Sequence, residues 1–396
     1  MIVVIADDFT GASEIAGIAL EFGLKVRIQT ELDVTADLCD VLVVDTNTRS
    51  MEAVDSVRVL EKVMEWVYAL SPELLYKKTD SVLRGNIKDE LSTVLHHYPD
   101  KSVLLVPANP SMGRTIRFGT YYVDGDPINE SVFSKDPECP AVVADVIQLI
   151  ERNTPGDDVK LLAAGEATES GVIYVPDITD QSDVIYWANR LQENRIAAGA
   201  ADFFRAILSG MGHTAKPTVT YQYDFQDSKS LIVCGSSLSN IDRIKAQMVY
   251  LEPRIAELAG LDACIDKAGS ELDELADYIV GGFINHQTVV VLLKMDKKMD
   301  HDIIQKLPSC LAGIVSRVIS KTTVHELFVE GGTSSSEIVR KIGWKIFEPS
   351  HVIGEGIIRM NVTGSDVHLT VKPGSYKWPT HMWTLAVTGK NKIKPY

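Results

Sequence analysis

The stretch YKKTDSVLRGN, residues 76–86, sets two lysines, an aspartate, a serine and an arginine against the end of an apolar run. Leu74, Leu75 and Tyr76 read as a short strand, and residues 87–98 continue with the apolar spacing of an amphipathic helix. The charged residues therefore fall on a strand-to-helix junction. Open α/β sheets bind their ligands at such junctions, beyond the carboxyl ends of the strands. Lys77, Lys78 and Arg84 beside Asp80 suit an anionic substrate that also gives up a proton. The competing reading is a solvated turn whose charges pair among themselves.

The same grammar surrounds this stretch. Apolar, β-branched runs at residues 2–6, 26–30, 41–45, 74–79 and 103–106 alternate with helical patterns, which predicts a parallel α/β sheet. In the first helix Ile15, Ile18, Ala19 and Phe22 recur at helical spacing, and Gly23 follows where a C-terminal cap is wanted. Residues 109–140 are polar and too long for an idle connection, so a binding loop is expected there. Further strands are expected near 159–164 and 171–175, with helices near 141–152 and 180–195.

Between residues 210 and 229 the chain reads GMGHTAKPTVTYQYDFQDSK, with glycine, proline and no helical period. The expected organisation is a domain over residues 1–220 and a second over 221–396. The second begins another α/β series, with strands at 231–234, 288–294 and 327–329 and helices at 241–250 and 334–342. Neither an internal repeat nor a low-complexity tract is visible.

A chain of 396 residues exceeds the roughly 250–300 at which a single core stops growing, which agrees with two domains. Apolar content of 45% and charged content of 23% are those of an ordinary globular protein. The net charge is −15, and no lysine or arginine block is long enough to track a phosphate backbone, so nucleic acid is not expected as a partner. An acidic protein that binds an anion must use local cations and backbone N–H groups. Five cysteines lack CxxC spacing and no stretch reaches the roughly 18 apolar residues of a membrane helix, which points to a reduced cytoplasm and no membrane. The opening residues MIVVIADDFTG lack a basic region and are not expected to be a secretory signal.

The first strand ends in Asp7 and Asp8, followed by Thr10, Gly11 and a helix. Carboxylates at that edge are placed to act on a ligand, although one of them could simply cap the helix. Ala6 stands where an aspartyl-phosphate enzyme of the haloacid dehalogenase type wants its first aspartate. Pro107, Asn109, Gly113, Arg114, Thr115 and Gly119 form a polar loop after another strand, and Arg114 is suited to fork onto a carboxylate or phosphate. A surface arginine in a salt bridge is the plain alternative.

In the second half, Cys234, Gly235, Ser236, Ser237 and Ser239 lie between a strand and a helix, as do Glu330, Gly331, Gly332, Thr333 and Ser334. Small residues there let N–H groups and hydroxyls meet an anion at the positive helix end, although such turns also arise for packing alone. Gly354 and Gly356 flank Glu355, and Lys372, Pro373 and Gly374 end a strand-like run. Lys372 could meet phosphate as a point charge or be merely solvated. No GxxxxGK[ST] is present, which excludes a P-loop, and the missing GxGxxG counts against a dinucleotide module.

Taken together, these residues make the chain resemble the four-carbon acid sugar kinase family over nearly its whole length. IADDFTGASE at 5–14 is similar to the family's ADD[LF]TGA motif, and KKTDSVLRGN at 77–86 to its K-x-D-S-x-L-R-G signature. VPANPSMGRTIRFGTYYVDGDPINES at 106–131 resembles its P-A-x-P-x-x-G-R-x-x-x-x-G loop. GSSLS at 235–239, EGGTSS at 330–335 and KPGSY at 372–376 look like motifs of its nucleotide-binding domain. The chain departs from the family at Ser13, Glu14 and Ile15, where Asn-Asp or Ala-Asp is common, and at Tyr376, Lys377 and Trp378 in place of the end of K-[SP]-G-x-F-G.

The resemblance implies two α/β domains, a parallel-sheet sugar-acid domain followed by an ATP-binding one. It implies ATP-dependent phosphorylation of the terminal hydroxyl of threonate, erythronate or 3-oxo-tetronate, with Mg²⁺, in the cytoplasm as part of carbohydrate-acid catabolism. Asp8 or Asp80 would take or orient the hydroxyl proton, a choice the residues leave open. Lys77, Arg84 and Arg114 would hold the carboxylate, with Asp7, Thr10, Ser81 and Gly85 completing the substrate set. Gly331, Gly332 and Thr333 would contact phosphate through their backbone, with Ser236, Gly354, Gly356, Lys372 and Gly374 also at the nucleotide. The metal ligands are not readable. The expected partners are the sugar acid and ATP, and a homodimer is compatible with the sequence. A non-catalytic sugar-acid or nucleotide sensor is the alternative, and a sugar-acid dehydrogenase is a third reading disfavoured by the absent fingerprint.

Overall fold

Ile2–Ala6 (β1) is apolar and buried throughout, as expected of a parallel strand covered on both faces. It lies between Val41–Asp45 (β3) and Leu74–Lys78 (β4), parallel to both, with Ile2 opposite Val41 and Leu74. The chain is seen here in a computed structural model, which describes residues 1–32, 39–136, 139–191, 194–216, 228–235, 254–258, 270–293, 301–374 and 376–379. It divides into two units, Met1–Pro217 and Thr218–Tyr396.

In the first unit, Val26–Gln29 (β2), Ser102–Val106 (β5), Val159–Leu162 (β9), Ile173–Pro176 (β10) and Arg195–Gly199 (β11) complete a parallel sheet. Its order is β2-β3-β1-β4-β11-β5-β10-β9. From β1 the chain first moves to the β3 side and then returns to the β4 side. That reversal is a topological switch point, where a crevice opens beyond the carboxyl ends of the strands. Phe9–Glu21 (α1) starts there, with Asp8 as N-cap accepting from the Gly11 N–H at 2.7 Å. Gly23 closes it at φ 75°, the left-handed conformation that suits glycine.

Ala53–Leu70 (α2) buries Leu60, Val63, Met64 and Val67 at helical spacing and packs with Ile87–His97 (α3), which buries Leu91, Val94 and Leu95. Gln181–Ala188 (α5) packs with Ala201–Gly210 (α6), which also meets α1. Tyr76 anchors this part of the core. Its ring centroid lies 5.0 Å from that of Phe204, and its hydroxyl donates to the Ala200 carbonyl at 2.6 Å.

Several boundaries differ from the sequence reading. The helix expected over 180–195 ends at Ala188, and Arg195 begins β11, which fills the centre of the sheet. Its RIAAG has one branched residue, Ile196, beside two alanines and a glycine, and burial between neighbours makes it a strand. The expected helix over 141–152 is reduced to Val146–Ile150 (α4). Residues 109–140, read as a loop, contain a small antiparallel sheet of Arg114–Arg117 (β6), Thr120–Val123 (β7) and Asp126–Pro127 (β8).

The second unit has a mixed sheet ordered β13-β14-β12-β15-β18-β17-β16. Ser230–Cys234 (β12), Arg254–Leu258 (β13), Thr288–Leu293 (β14), Glu326–Glu330 (β15) and His368–Lys372 (β18) are parallel to their neighbours in that set. Ile346–Gly354 (β16) and Ile357–Val362 (β17) form an antiparallel hairpin that the sequence reading did not anticipate, and β17 pairs antiparallel with β18. The helix expected at 241–250 lies outside the described residues. Among the described residues no helix is long and apolar enough to cross a membrane.

Candidate active site

Strand β4 carries both lysines, within the 74–79 run, so they lie in the sheet and not on the junction that follows it, where they were expected. Successive side chains of a strand leave on opposite faces. Lys77 reaches Glu90 of α3 at 2.6 Å and is fully buried, while Lys78 reaches Glu14 of α1 at 3.3 Å. Lys77, expected to hold a substrate carboxylate, is thus committed to a buried glutamate that also accepts from Ser56 Oγ at 2.9 Å. Lys78 lies beside Asp8: a Cβ on Gly11 would stand 3.3 Å from its Nζ and 2.6 Å from Asp8 Oδ1.

Around the switch point the carboxylates gather on guanidinium groups. Arg49 forks onto Asp7 at 2.9 and 2.8 Å, donates to Asp8 Oδ2 at 2.7 Å and stands 3.6 Å from Asp80. Burial acts to raise the Asp7 pKa, but Arg49, Lys77 and Lys78 outweigh it and hold the carboxyl below its usual value. Asp8 accepts from Gly11 N and Thr10 Oγ1 as well as from Arg49, so it caps α1 and faces the cluster at once.

Asp80 accepts a fork from Arg84, 2.9 Å at each nitrogen, and the backbone N–H groups of Val82 and Arg84. Burial again opposes ionisation, yet Arg84 and Arg49 keep Asp80 well below the usual carboxylate range. Arg84 also reaches Asp136 at 3.1 Å. Gly85, at φ 88°, lets the chain pass close to Arg49, whose carbonyl would lie 3.2 Å from a Cβ there. Ser81 lies between Arg114, whose Nη1 donates to its hydroxyl, and Tyr121, whose hydroxyl donates to its carbonyl.

Arg114 is buried, its Nε lacks a hydrogen-bond partner, and it forms no ion pair among the described residues. Asp7, Asp8, Thr10, Asp80, Ser81, Arg84, Gly85 and Arg114 are therefore brought to one edge of one sheet. Arg49 completes the set and was missed by the sequence reading. Its signal was available, because TNTRS follows β3 at the same carboxyl edge.

In the second unit Cys234, Glu330 and Lys372 lie side by side at the ends of β12, β15 and β18. Gly331 (φ 109°) precedes the helix Gly332–Ile342, whose first turn has neither a side-chain cap nor an acidic residue. The N–H groups of Gly332 and Thr333 there have no partner within the helix, a geometry that fits phosphate. Lys372, expected at the nucleotide, is instead fully buried. Its ammonium lies 3.4 Å from Glu330 and donates to the carbonyls of Pro373 and Tyr376. Trp378 Nε1 donates to the same glutamate at 2.9 Å.

Gly354 and Gly356 also have packing roles, since a Cβ would stand 2.8 Å from Pro379 at the first and 2.3 Å from the Tyr376 ring at the second. Gly374 lies in the turn after β18. Ser236, Ser237 and Ser239 lie outside the described residues. Among the described residues no group of three or more His, Cys, Asp or Glu side chains is arranged to hold a metal ion.

A family model described as the sugar-binding N-terminal domain matches residues 2–206, and the chain belongs to that family. It is similar to the D-threonate kinase of Salmonella typhimurium (strain LT2), 25% identical over 380 residues and 86% of each chain. It is also similar to the 3-oxo-tetronate kinase of Pectobacterium atrosepticum, 21% identical over 408 residues, 94% of this chain and 95% of the relative. A solved structure from Salmonella typhimurium LT2 shares the fold with a TM-score of 0.76 at 17% identity, covering 98% of both chains. The family named by the motifs is the family found.

Proposed function

We propose that this protein is an ATP-dependent sugar-acid kinase that phosphorylates the terminal hydroxyl of a four-carbon acid such as threonate, erythronate or 3-oxo-tetronate. The observation that carries this reading is Arg114. Arg49 is neutralised by Asp7 and Asp8, Lys77 by Glu90, Lys78 by Glu14 and Arg84 by Asp80 and Asp136. Arg114, buried beside them, has a serine hydroxyl as its side-chain hydrogen-bond partner. A buried charge is costly without a counter-charge, and a substrate carboxylate would supply one with matching fork geometry. Kinship with four-carbon acid sugar kinases supports the same assignment.

Within the site Asp8 is the better base. A carboxylate offers about four lone-pair positions. Both oxygens of Asp80 are held by the Arg84 guanidinium and Oδ1 also faces Arg49 at 3.6 Å, whereas Asp8 Oδ1 accepts the neutral Gly11 N–H and keeps a lone pair clear of any guanidinium for a substrate hydroxyl. Asp80 then holds Arg84 and faces Arg49. The uncapped first turn of Gly332–Ile342 suits the phosphates of ATP, which supplies the phosphoryl group while Mg²⁺ neutralises its charge. Mg²⁺ in such sites is held by one or two carboxylates together with the phosphates. A coupled assay of ADP release across D-threonate, D-erythronate, their L-isomers and 3-oxo-tetronates tests the reading. No release above the ATP-only rate with any of them would overturn it.

A further inference from the structure

Arg114 belongs to a loop whose position is set from elsewhere in the first unit. Asn109 and Arg114 pair through their backbones in both directions, at 3.0 and 3.2 Å, and close the turn Pro110–Met112 between them. The loop is then joined to the first turn of α6 at one residue. Asp202 accepts from the backbone N–H and the hydroxyl of Ser111, each at 2.9 Å, and its own N–H donates to Asn109 Oδ1 at 2.9 Å. The N-cap of α6 is Ala200, which has no side chain able to cap, so Asn109 satisfies a buried first-turn N–H of that helix from a distant segment.

We propose that Asp202 is a positioning residue for Arg114, setting through Ser111 and Asn109 where the guanidinium meets the substrate carboxylate; this rests on the carboxylate assignment made above. Asp202 is buried and touches neither Arg114 nor Ser81 directly, so it acts through the loop. Three hydrogen bonds between one residue and two points of a six-residue loop remove most of the freedom by which that loop could slide along α6. The joint also explains a carboxylate kept at the start of α6 although burial, the largest influence, and Glu14 both raise its pKa against the Ser111 hydrogen bonds.

The test is a double-mutant cycle on the full chain, with Asp202→Ala, Arg114→Ala and both together, read as KM and kcat for D-threonate and D-erythronate. Ser111→Ala, which keeps one of the two bonds to Asp202, serves as the milder variant where Asp202→Ala folds poorly. Asp202→Ala is expected to raise KM for the acid about tenfold or more with kcat within about twofold. It should add less than about twofold once Arg114 is alanine, because the two residues then share one path of action. Asp202→Asn, which retains an acceptor, should fall between. A purely structural role would give equal effects in both Arg114 backgrounds, and that result, or an unchanged KM in Asp202→Ala and Ser111→Ala, would overturn the proposal while leaving the kinase reading intact. A wild-type chain that neither binds nor phosphorylates these acids would overturn both.

Discussion

Asp8 and Asp80 lie on neighbouring strand ends and differ in what already holds them. Their residue types made both candidates for proton transfer, and no spacing rule could rank them, because ranking requires knowing which oxygen each donor reaches from three separate segments. The oxygen clear of any guanidinium is Oδ1 of Asp8, so Asp8→Asn should lower kcat by about 10²–10⁴-fold with a modest change in KM. Asp80→Asn should act chiefly through a loosened Arg84 and so raise KM for the acid. Comparable kcat losses in the two variants would reverse or merge these roles. Lys77 illustrates the opposite error. It sits in a motif and looks available, yet its ammonium belongs to Glu90. Breaking a buried pair by removing one partner costs about 3–5 kcal/mol, so Lys77→Met should be strongly destabilised in urea. Lys77→Met with Glu90→Leu should recover much of that loss, less about 1–3 kcal/mol for the stranded Ser56 hydroxyl.

Elements were legible where the local pattern was strong. β1, β3 and β5 are runs of branched apolar residues, and α1 has both its cap and its closing glycine in the sequence. β11 and the β16–β17 hairpin were not, since strand formation there depends on neighbours more than on composition. The turn from β4 to α3 shows an element whose shape serves a side chain from another element. Leu83 at φ 62° and Gly85 at φ 88° fold it tightly against Arg49. Gly85→Ala should therefore cost more than about 1 kcal/mol in stability, because alanine resists that φ and would press on the Arg49 backbone. It should also weaken acid binding through the displaced Arg49–Asp8 contact. An unchanged melting temperature and KM would show that the turn tolerates a side chain.

At the scale of the whole molecule the charge state of the carboxylates sets the response to pH. Asp7 and Asp80 have folded-state pKa values below their ordinary 3.8, so the stability they contribute is fully present above that value. It is lost as pH falls through the depressed folded values. Asp202 and Glu326 run the other way: burial raises both, and their favourable contribution fades as pH rises through values above 3.8 and 4.5. Unfolding free energy measured in urea should fall below about pH 4, and Asp80→Asn should show a smaller fall. An identical acid limb in that variant would remove Asp80 from the account. Ligands that bind the folded chain raise its melting temperature, so ATP and a four-carbon acid should each do so, by about 2.7 kcal/mol of stabilisation at a hundredfold excess over Kd. NAD should have no effect.

The sequence by itself determined the α/β class, the carboxyl-edge placement of Asp7, Asp8, Asp80 and Arg84, and the family, because these follow from periodicity and short motifs that are local along the chain. Only the tertiary structure decided which cations are spent and which is available. Arg49 reaches the aspartates from 41 and 42 positions away, Lys77 is neutralised from α3, and Lys372 is sealed by Glu330 from another strand. Whether a charge binds a ligand depends on the counter-charges within a few ångströms. Those are set by which strand lies beside which, a relation that spacing along the chain does not contain.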